Sequence, residues 1–456
     1  MRYLKFSMMA LLLGLIGCDI PSQIVKIGGD SQVGAPGTEC EEPLMVRVLS
    51  AQKTPVENVS VFFSTSPPHS VGDEVVLTDA NGIAFTSVHF GDRAGGFVVE
   101  ADVPNIPSSP IIFTLSTNGD ASEVESREIG NLDIPLSLVN IGDIFGEYLH
   151  EITVLDKTIF IPTGSSGSGV VVVDMQDPAM PRMANFVSGL NSRDLTIAGS
   201  HLFSVSGNDF NTLDITNPHA PVLVGSLDLN SGSGAAATTV AVSGAVAFVT
   251  GGGKYLGSYG ALNSVDVSDP AIPKVGVRSD ETGGADVVVQ GQFAYVAAYE
   301  EGLFVFNISD PLVSLPMAGR IGTGGNATRL RVDGGTVYVL NVPQNTNIVS
   351  VAVIDVTDPA SPQLVTVVSI PTHWHFGGYG YGGTHFGMTL AGSRLYVGGY
   401  DGVVVIDVSD PQLIDPMGRI DPSAYVGGVA ELDGKLAVAH KRGLSVIEIV
   451  PISKSK

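Results

Sequence analysis

The stretch GVVVIDVSDP, from Gly402 to Pro411, contains the motif that decides the fold of this chain. A run of β-branched residues ends in an Asp-x-x-Asp-Pro phrase, and versions of that phrase recur at intervals of 40 to 52 residues through the C-terminal two thirds. A fixed phrase at such intervals indicates a repeat architecture, in which each unit buries its apolar face against its neighbours. The other copies begin at Asp174, Asp214, Asp266, Asn307 and Asp355.

A second landmark lies upstream of each phrase, where a turn residue is followed four positions later by an aromatic residue. Gly434 and Val438 form a seventh, C-terminal pair, and Glu448 stands where its phrase would begin, so both landmarks predict seven units. Valine-rich runs between Gly, Asn, Asp and Pro turns predict four strands per unit, which is typical of propeller blades. The six aromatic pairs are Asp156/Phe160, Gly199/Phe203, Gly244/Phe248, Gly291/Tyr295, Gly334/Tyr338 and Gly392/Tyr396.

Closure of a propeller requires a fourth strand for the last unit, because an open ring leaves unpaired strand edges. The unit from Val429 to Val450 contains three strand signals. The segment from Ile134 to Gly146 is similar to the fourth strands of other units and is predicted to complete it. The Asp-Pro phrases are predicted to form the turns between strands three and four. The sequence therefore predicts a seven-bladed β-propeller over residues 131–453.

These repeats resemble the LVIVD-repeat proteins, a family of bacterial propeller proteins. The resemblance rests on stretches such as GLFVFNISDP from Gly302 and VAVIDVTDP from Val351, and it extends over roughly Ile134 to Ile452. It implies the propeller fold. It implies no particular activity, because the shared residues are structural.

The N-terminus resembles a bacterial lipoprotein signal. Arg2 and Lys5 precede an apolar run that is too short to span a bilayer as a helix and that ends in LIGC at Cys18. Residues 1–17 are therefore predicted to be a signal peptide and Cys18 the lipidated first residue, with an ordinary signal peptide as the alternative. This places the protein in the bacterial cell envelope, at the outer membrane or cell surface or on the periplasmic face of the inner membrane. Cys40 then has no cysteine partner.

Residues 39–118 are predicted to be a small β-sandwich, with a polar tether before it at 18–38 and a linker after it at 119–130. Alternating apolar positions separated by turn clusters favour this fold. Four segments resemble the bacterial Ig-like (Big-1) domains of invasin and intimin stalks, which implies a spacer without catalysis. Those segments are Pro43 to Val48, Pro55 to Phe62, Thr78 to Ala84 and Ala94 to Ala101.

The formal charge of -23 argues against nucleic-acid binding, because no basic stripe is present to neutralise phosphates. Loss of Arg2 and Lys5 with the signal peptide makes the mature charge -23 minus 2, or -25. A protein or a glycan of the envelope is the expected partner, and the lipid anchor provides contact with the membrane.

Candidate ligand-binding residues fall in two groups on the propeller face opposite the Asp-Pro turns. The first group lies in long loops: His373, Trp374, His375, Tyr379, Tyr381 and His385, with Tyr255 and Tyr259. Three hypotheses stay open for the His-rich loop: an aromatic binding loop, a plug over the central channel, or a transition-metal site using His373, His375 and His385. The second group begins the innermost strands: Glu151, Arg193, Asp194, Asp286 and Arg329.

The charged residues of the second group have two interpretations. They could bind an ion such as Ca²⁺ or a polar ligand, or they could form a mutually paired rim, and the sequence favours the rim. No nucleophile elbow, zinc-protease motif or phosphate loop occurs, so an enzyme is disfavoured. The predicted function is a lipid-anchored binding or adhesion protein that needs no cofactor. The alternatives are a metal-dependent hydrolase or oxidoreductase using residues 373–385 and a non-catalytic scaffold of an envelope complex.

Overall fold

The computed structural model describes residues 20–449 in two compact units, one ending at Gly119 and the other beginning at Asp120. Its gaps are 31, 36, 66–68, 91–94, 105, 107–108, 110, 118–125, 135–150, 165–168, 230–236, 252–261, 280, 282, 343–347, 374–386, 400–401, 421–425 and 441–442. The described residues form strands and turns, and no helix among them is long and apolar enough to cross a bilayer.

The N-terminal unit has two main sheets around one core. The first sheet has the strand order β1-β3-β7, the second has the order β2-β10-β9-β4-β6, and β5 pairs with β8. Buried and partly exposed residues alternate along β3, which directs Leu44, Val46 and Val48 into the core. The strands are β1 (Pro21–Gly28), β2 (Val33–Gly34), β3 (Leu44–Ser50), β4 (Ser60–Thr65), β5 (Ser70–Val71), β6 (Val75–Leu77), β7 (Ile83–Thr86), β8 (Val88–His89), β9 (Gly95–Asp102) and β10 (Ile111–Thr117).

The prediction of a polar tether over residues 18–38 is wrong where β1 and β2 lie. β1 pairs antiparallel with β3 from Pro21 to Gly28, and β2 pairs with β10. The sequence did not predict β1 as a strand, because only Ile24 is fully buried and the segment lacks the alternation of apolar and polar residues that is typical of a half-buried strand. Cys40 is half-buried in the same unit, where its sulfur accepts a hydrogen bond from the Val88 amide at 3.1 Å and burial raises the pKa of its thiol.

The described residues of the C-terminal unit form seven four-stranded antiparallel sheets. Sheet 7 combines β36, β37 and β38 from the end of the chain with β11 from its beginning. The strands are β11 (Ser126–Asp133); sheet 1, β12 (Thr153–Leu155), β13 (Thr158–Pro162), β14 (Gly169–Asp174), β15 (Arg182–Ser188); sheet 2, β16 (Asp194–Ala198), β17 (His201–Ser206), β18 (Asp209–Asp214), β19 (Val222–Asp228); sheet 3, β20 (Ala237–Ser243), β21 (Val246–Gly251), β22 (Asn263–Asp266), β23 (Lys274–Arg278); sheet 4, β24 (Asp286–Gln290), β25 (Phe293–Ala297), β26 (Leu303–Asn307), β27 (Met317–Ile321); sheet 5, β28 (Ala327–Asp333), β29 (Thr336–Asn341), β30 (Ile348–Asp355), β31 (Gln363–His373); sheet 6, β32 (Met388–Ala391), β33 (Arg394–Gly399), β34 (Gly402–Asp407), β35 (Asp415–Ile420); sheet 7, β36 (Val426–Leu432), β37 (Lys435–His440), β38 (Gly443–Ile449).

Successive sheets pack face to face, and their first strands, here called the inner strands, contact one another in order. Apolar side chains of neighbouring sheets share a core, as Phe160 of sheet 1 and Leu202 of sheet 2 do. Sheet 7 shares such a core with sheet 1, where Ala437 and Val446 lie in one cluster with Ile159, and β36 contacts β12. The apolar faces that one unit cannot bury alone are thus covered by the next.

The strand that completes sheet 7 is β11, which pairs antiparallel with β38 over its whole length. The prediction that Ile134 to Gly146 supplies this strand is wrong, and part of the predicted linker at 119–130 is strand. Residues 135–150 lie outside the described part of the chain. An exposed ion pair joins Arg127 to Glu448, and Ser445 donates a hydrogen bond to Glu128 at 2.9 Å across the seam.

The Asp-Pro phrases form the turns between the third and fourth strands, as predicted. In each phrase the first Asp or Asn accepts a hydrogen bond from the amide two residues later, as Asp266 does from Ser268 at 2.9 Å. In five of the phrases the second Asp or Asn makes the same contact, as Asp269 accepts from the Ala271 amide at 3.0 Å. These side chains close the turn and satisfy amides that no strand pairs.

A glycine of the fourth, outer strand lets the next sheet's turn approach closely. A Cβ on Gly225 of β19 would overlap the Pro270 carbonyl oxygen of sheet 3, and Gly319 of β27 meets Pro359 of sheet 5 in the same way. Gly130 of β11 repeats the contact with the turn of sheet 1 at Pro178. β-bulges interrupt the pairing of all seven outer strands, which limits edge-to-edge association.

Candidate functional site

The predicted aromatic and histidine loops lie mostly outside the described residues. This holds for Trp374, His375, Tyr379, Tyr381, His385, Tyr255 and Tyr259. His373 ends β31, where its backbone pairs with Ile348. Within the described part of the chain, no group of three or more His, Cys, Asp or Glu side chains is placed to hold a metal ion. Ligand and metal binding by these loops stay predictions.

The charged residues predicted at the starts of the inner strands do come together. Glu151 precedes β12 in sheet 1, and its carboxylate lies 3.8 Å from Nε of Arg329 in sheet 5. Nη1 of Arg329 lies 3.8 Å from Asp286 of sheet 4. Arg329 therefore connects sheet 5 both to the neighbouring sheet 4 and to sheet 1, which is not its neighbour in the chain.

Arg331 is a member of this cluster that the sequence did not indicate. Its guanidinium forms ion pairs with Glu151 and, at 3.5 Å, with Asp286, and it donates a hydrogen bond to the Leu330 carbonyl at 2.6 Å. A signal for it existed, because residues two apart on a strand point to the same face and Arg329 was already a candidate. We name the set Glu151, Arg193, Asp194, Asp286, Arg329 and Arg331 the channel cluster.

Asp194 and Asp286 also connect each sheet to the next one through the backbone. Each is the first residue of its inner strand, and each accepts a hydrogen bond from the amide of the fourth residue of the following inner strand. Asp194 accepts from Val240 at 2.8 Å, and Asp286 accepts from Leu330 at 3.0 Å. The same contact thus joins sheet 2 to sheet 3 and sheet 4 to sheet 5.

Asp194, Asp286 and Arg329 are buried, the other members of the cluster are partly exposed, and burial controls the protonation of the two aspartates. Loss of water raises the pKa of Asp194 to about 7, while the Arg329 charge and the Val240 amide oppose that rise. Burial also raises the pKa of Asp286, against the same guanidinium and the Leu330 amide. Burial lowers the pKa of Arg331 to about 10, which leaves it charged at neutral pH. The guanidiniums of Arg329 and Arg331 thus face Asp286, whose charge depends on pH.

Tyr299 lies beside the cluster in an unfavourable backbone conformation. Its φ of 49° is left-handed, whereas the equivalent connections of sheets 1 and 2 have Gly164 and Gly207 there. All three residues form an antiparallel bridge to the start of the next inner strand, which for Tyr299 is Ala327. A left-handed non-glycine residue costs on the order of 1 kcal/mol. Burial raises the pKa of the Tyr299 phenol, and the charges of Arg193 and Arg329 oppose that rise.

Chemically, the channel cluster links the sheets to one another through ion pairs and hydrogen bonds. Its carboxylates are engaged by guanidiniums and by amides of the chain itself, and Asp194, Asp286 and Arg329 are buried instead of lying on a solvated rim. Elsewhere, Ser445 lies 2.8 Å from Nε2 of His440 and also donates to Glu128. This serine is 2 % exposed, so the contact stabilises the seam of sheet 7 and offers no accessible nucleophile.

The fold and these contacts define a repeat protein of the β-propeller type. The LVIVD repeat matches four segments of the chain, 191–229, 283–321, 324–369 and 387–421, which correspond to sheets 2, 4, 5 and 6. The chain thus carries LVIVD repeats.

No curated protein matches the chain. Solved structures with similarity include BamB from Moraxella catarrhalis, at 11% identity and TM-score 0.44, covering 73% of this chain and 100% of that one. The Cps50 (Swd1) β-propeller domain from Myceliophteria thermophila gives 11% and 0.48, covering 72% and 100%. Hydrazine synthase from Kuenenia stuttgartiensis gives 14% and 0.47, covering 68% and 98%. At these identities, nothing about function follows.

Proposed function

We propose that this chain is a lipid-anchored binding protein of the bacterial cell envelope, in which an Ig-like domain carries a closed seven-bladed propeller. The lipid is attached at Cys18, and the propeller face opposite the Asp-Pro turns engages a protein or a glycan. No chemical step belongs to this function. Rigid presentation of loops on a fixed scaffold is its mechanism.

The observation that carries the proposal is the set of ion pairs and hydrogen bonds by which the channel cluster links the sheets. Arg331 bridges Glu151 of sheet 1 and Asp286 of sheet 4, and Asp194 holds the inner strand of sheet 3. These charges stabilise the scaffold, which leaves recognition to the connections around them. The longest connections, such as the one from His373 to Met388, leave the sheets on that face, whereas the Asp-Pro turns are short and uniform.

A capture experiment with matched variants tests this proposal. The chain from Asp19 onward is immobilised and exposed to solubilised envelope proteins and, separately, to an array of envelope glycans. A variant lacking residues 374–384 is expected to lose the bound protein or glycan, and Met180→Ala, in the turn of sheet 1 on the opposite face, is expected to retain it. Equal binding by both variants would contradict recognition through the loop face.

A second candidate function, a scaffold subunit of an envelope complex, is favoured by an apolar rim. The outer strand of sheet 2 exposes Val222, Leu223 and Val224, and the next turns expose Ile272 of sheet 3 and Val313 of sheet 4, which are 61 % and 69 % exposed. Gly225 of sheet 2 lies against Pro270 of sheet 3, and Gly276 of sheet 3 lies against Leu312 of sheet 4. The exposed apolar residues of the three sheets therefore form one continuous rim. Contiguous exposed apolar residues mark association surfaces.

The scaffold candidate is tested by charge insertion on that rim. Ile272→Asp combined with Val313→Asp is expected to release subunits that co-purify with the wild-type chain, while the loop deletion leaves them bound. Retention of the same subunits by the charged variant would exclude the rim as the contact.

A further inference from the structure

The N-terminal unit begins almost at the predicted lipidation site. Only Asp19 and Ile20 separate Cys18 from Pro21, where β1 starts. Consecutive Cα atoms are about 3.8 Å apart, so Pro21 lies at most about 11 Å from the Cα of Cys18. A free tether over residues 18–38 would have given a typical reach of about 25 Å. The pairing of β1 with β3 removes that freedom.

The pairing also defines which end of the unit is next to the anchor. Pro21 pairs with Ser50, the last residue of β3, and Ser22 donates a hydrogen bond to the Leu49 carbonyl at 3.4 Å. The chain then turns through residues 51–54, and the Ser50 amide donates to the Thr54 carbonyl at 2.9 Å. The Ser50 and Thr54 hydroxyls lie 2.6 Å apart, so the turn is held firmly at the end where β1 begins.

The chemistry of this end suits a lipid headgroup surface. Ile20 is 69 % exposed, and the turn exposes Ala51, Gln52 and the cationic Lys53. A lysine near an anionic lipid surface contributes about 1 kcal/mol to binding. Asp79 in the adjacent turn opposes this attraction, because the amides of Ile83 and Asn81 lower the pKa of its carboxyl and hold it in the charged form.

We propose that the N-terminal unit rests on the bilayer surface through Ile20 and the turn of residues 51–54. The inference depends on the proposed lipidation of Cys18. The contact makes this unit a fixed base on the membrane, because the short connection cannot let it diffuse away from the headgroups. Apolar contact by Ile20 and attraction of Lys53 then orient it.

Site-directed nitroxide labels on the full lipidated chain test this contact. The labels replace Gln52→Cys, which keeps Lys53 in place, or, as a matched control, Ile27→Cys near the opposite end of β1, both in a Cys40→Ser background. Seven residues of strand place Ile27 roughly 20 Å farther from the anchor. The chain is inserted into vesicles of phosphatidylethanolamine and phosphatidylglycerol, and the accessibility of each label to a water-soluble relaxation agent is measured.

The label at residue 52 is expected to lose aqueous accessibility relative to the unlipidated Cys18→Ser chain, while the label at residue 27 is unchanged. A flexible Gly/Ser insertion between Ile20 and Pro21 should restore accessibility at residue 52. A lipidated chain whose residue 52 stays as accessible as residue 27 would overturn the contact alone. A mass spectrum showing no lipid on Cys18 would overturn the anchor and the contact with it.

Discussion

Asp194 and Asp286 are each subject to two opposing effects on protonation. Burial favours the neutral acid, whereas Arg329 and the amide of the next inner strand favour the carboxylate. Burial is the larger effect at both sites, so each pKa is raised. A buried carboxylate that must lose its charge to be stable makes the brace between sheets sensitive to pH.

Asp194→Asn is expected to flatten the pH dependence of stability. The folded pKa of about 7 lies above the ordinary aspartate pKa of 3.8, so stability from protonated Asp194 is complete below about pH 4 and is lost as pH rises through about 7. The full difference is on the order of a few kcal/mol. Asparagine keeps an acceptor for the Val240 amide and does not titrate. Thermal unfolding midpoints measured between these pH values provide the check.

Asp214→Asn is the control for that measurement. Hydrogen bonds from Thr216 lower the pKa of Asp214, so its contribution is present above the unfolded pKa and is lost as pH falls. This variant should therefore keep the wild-type loss of stability between about pH 4 and about pH 7. An Asp194→Asn chain with an unchanged slope would mean that another group titrates in this range.

Arg331→Ala is expected to destabilise the C-terminal unit by about 3 to 5 kcal/mol, because it leaves Glu151 and Asp286 buried without this guanidinium. Arg182→Ala is the matched control. It also removes an arginine ion pair, to Asp174, but the Arg182 side chain is 74% exposed, so the cost should be below about 1 kcal/mol. Denaturant unfolding compares the two, and equal losses would contradict a bracing role for Arg331.

At the scale of elements, local signals in the sequence identified the repeats well. The Asp-Pro turns were predictable because the first Asp or Asn of each phrase accepts a hydrogen bond from an amide only two residues away, as Asp355 does from Thr357. Contacts between distant segments were not predictable in this way. β11 has the polar sequence SREIGNLD, and only its pairing with β38 makes it a strand. The signal available in the sequence of β11 was Gly130, because Gly225 and Gly319 hold the same place in the outer strands β19 and β27.

Gly225→Ala is expected to destabilise the packing of sheet 2 on sheet 3 by about 1 to 3 kcal/mol, because the new methyl group would overlap the Pro270 carbonyl oxygen. Gly322→Ala is the control, since a Cβ at Gly322 meets nothing within 4 Å and its φ is not left-handed. Its effect should stay within about 0.5 kcal/mol. Chemical denaturation distinguishes them, and a neutral Gly225→Ala would show that the sheets can separate slightly without cost.

At the scale of the whole molecule, sheet 7 combines strands from both ends of the C-terminal unit, because β11 pairs with β38. Sheet 7 packs on sheet 1 through Ile159, Ala437 and Val446, and Gly130 of β11 contacts the turn of sheet 1 at Pro178. An early segment thus covers both the edge of β38 and the rim of the first repeat. Loss of that segment exposes two surfaces at once.

Two fragments of the C-terminal unit test this arrangement. A chain from Asp120 to Lys456 contains all of β11, whereas a chain from Asn131 lacks Ser126 to Gly130 and with them most of the pairing with β38. The shorter fragment is expected to unfold at a lower temperature and to be cut by protease at concentrations that leave the longer one intact. Both retain Ile134 to Gly146. Equal stability of the two fragments would mean that this later segment can complete sheet 7, as the sequence alone had predicted.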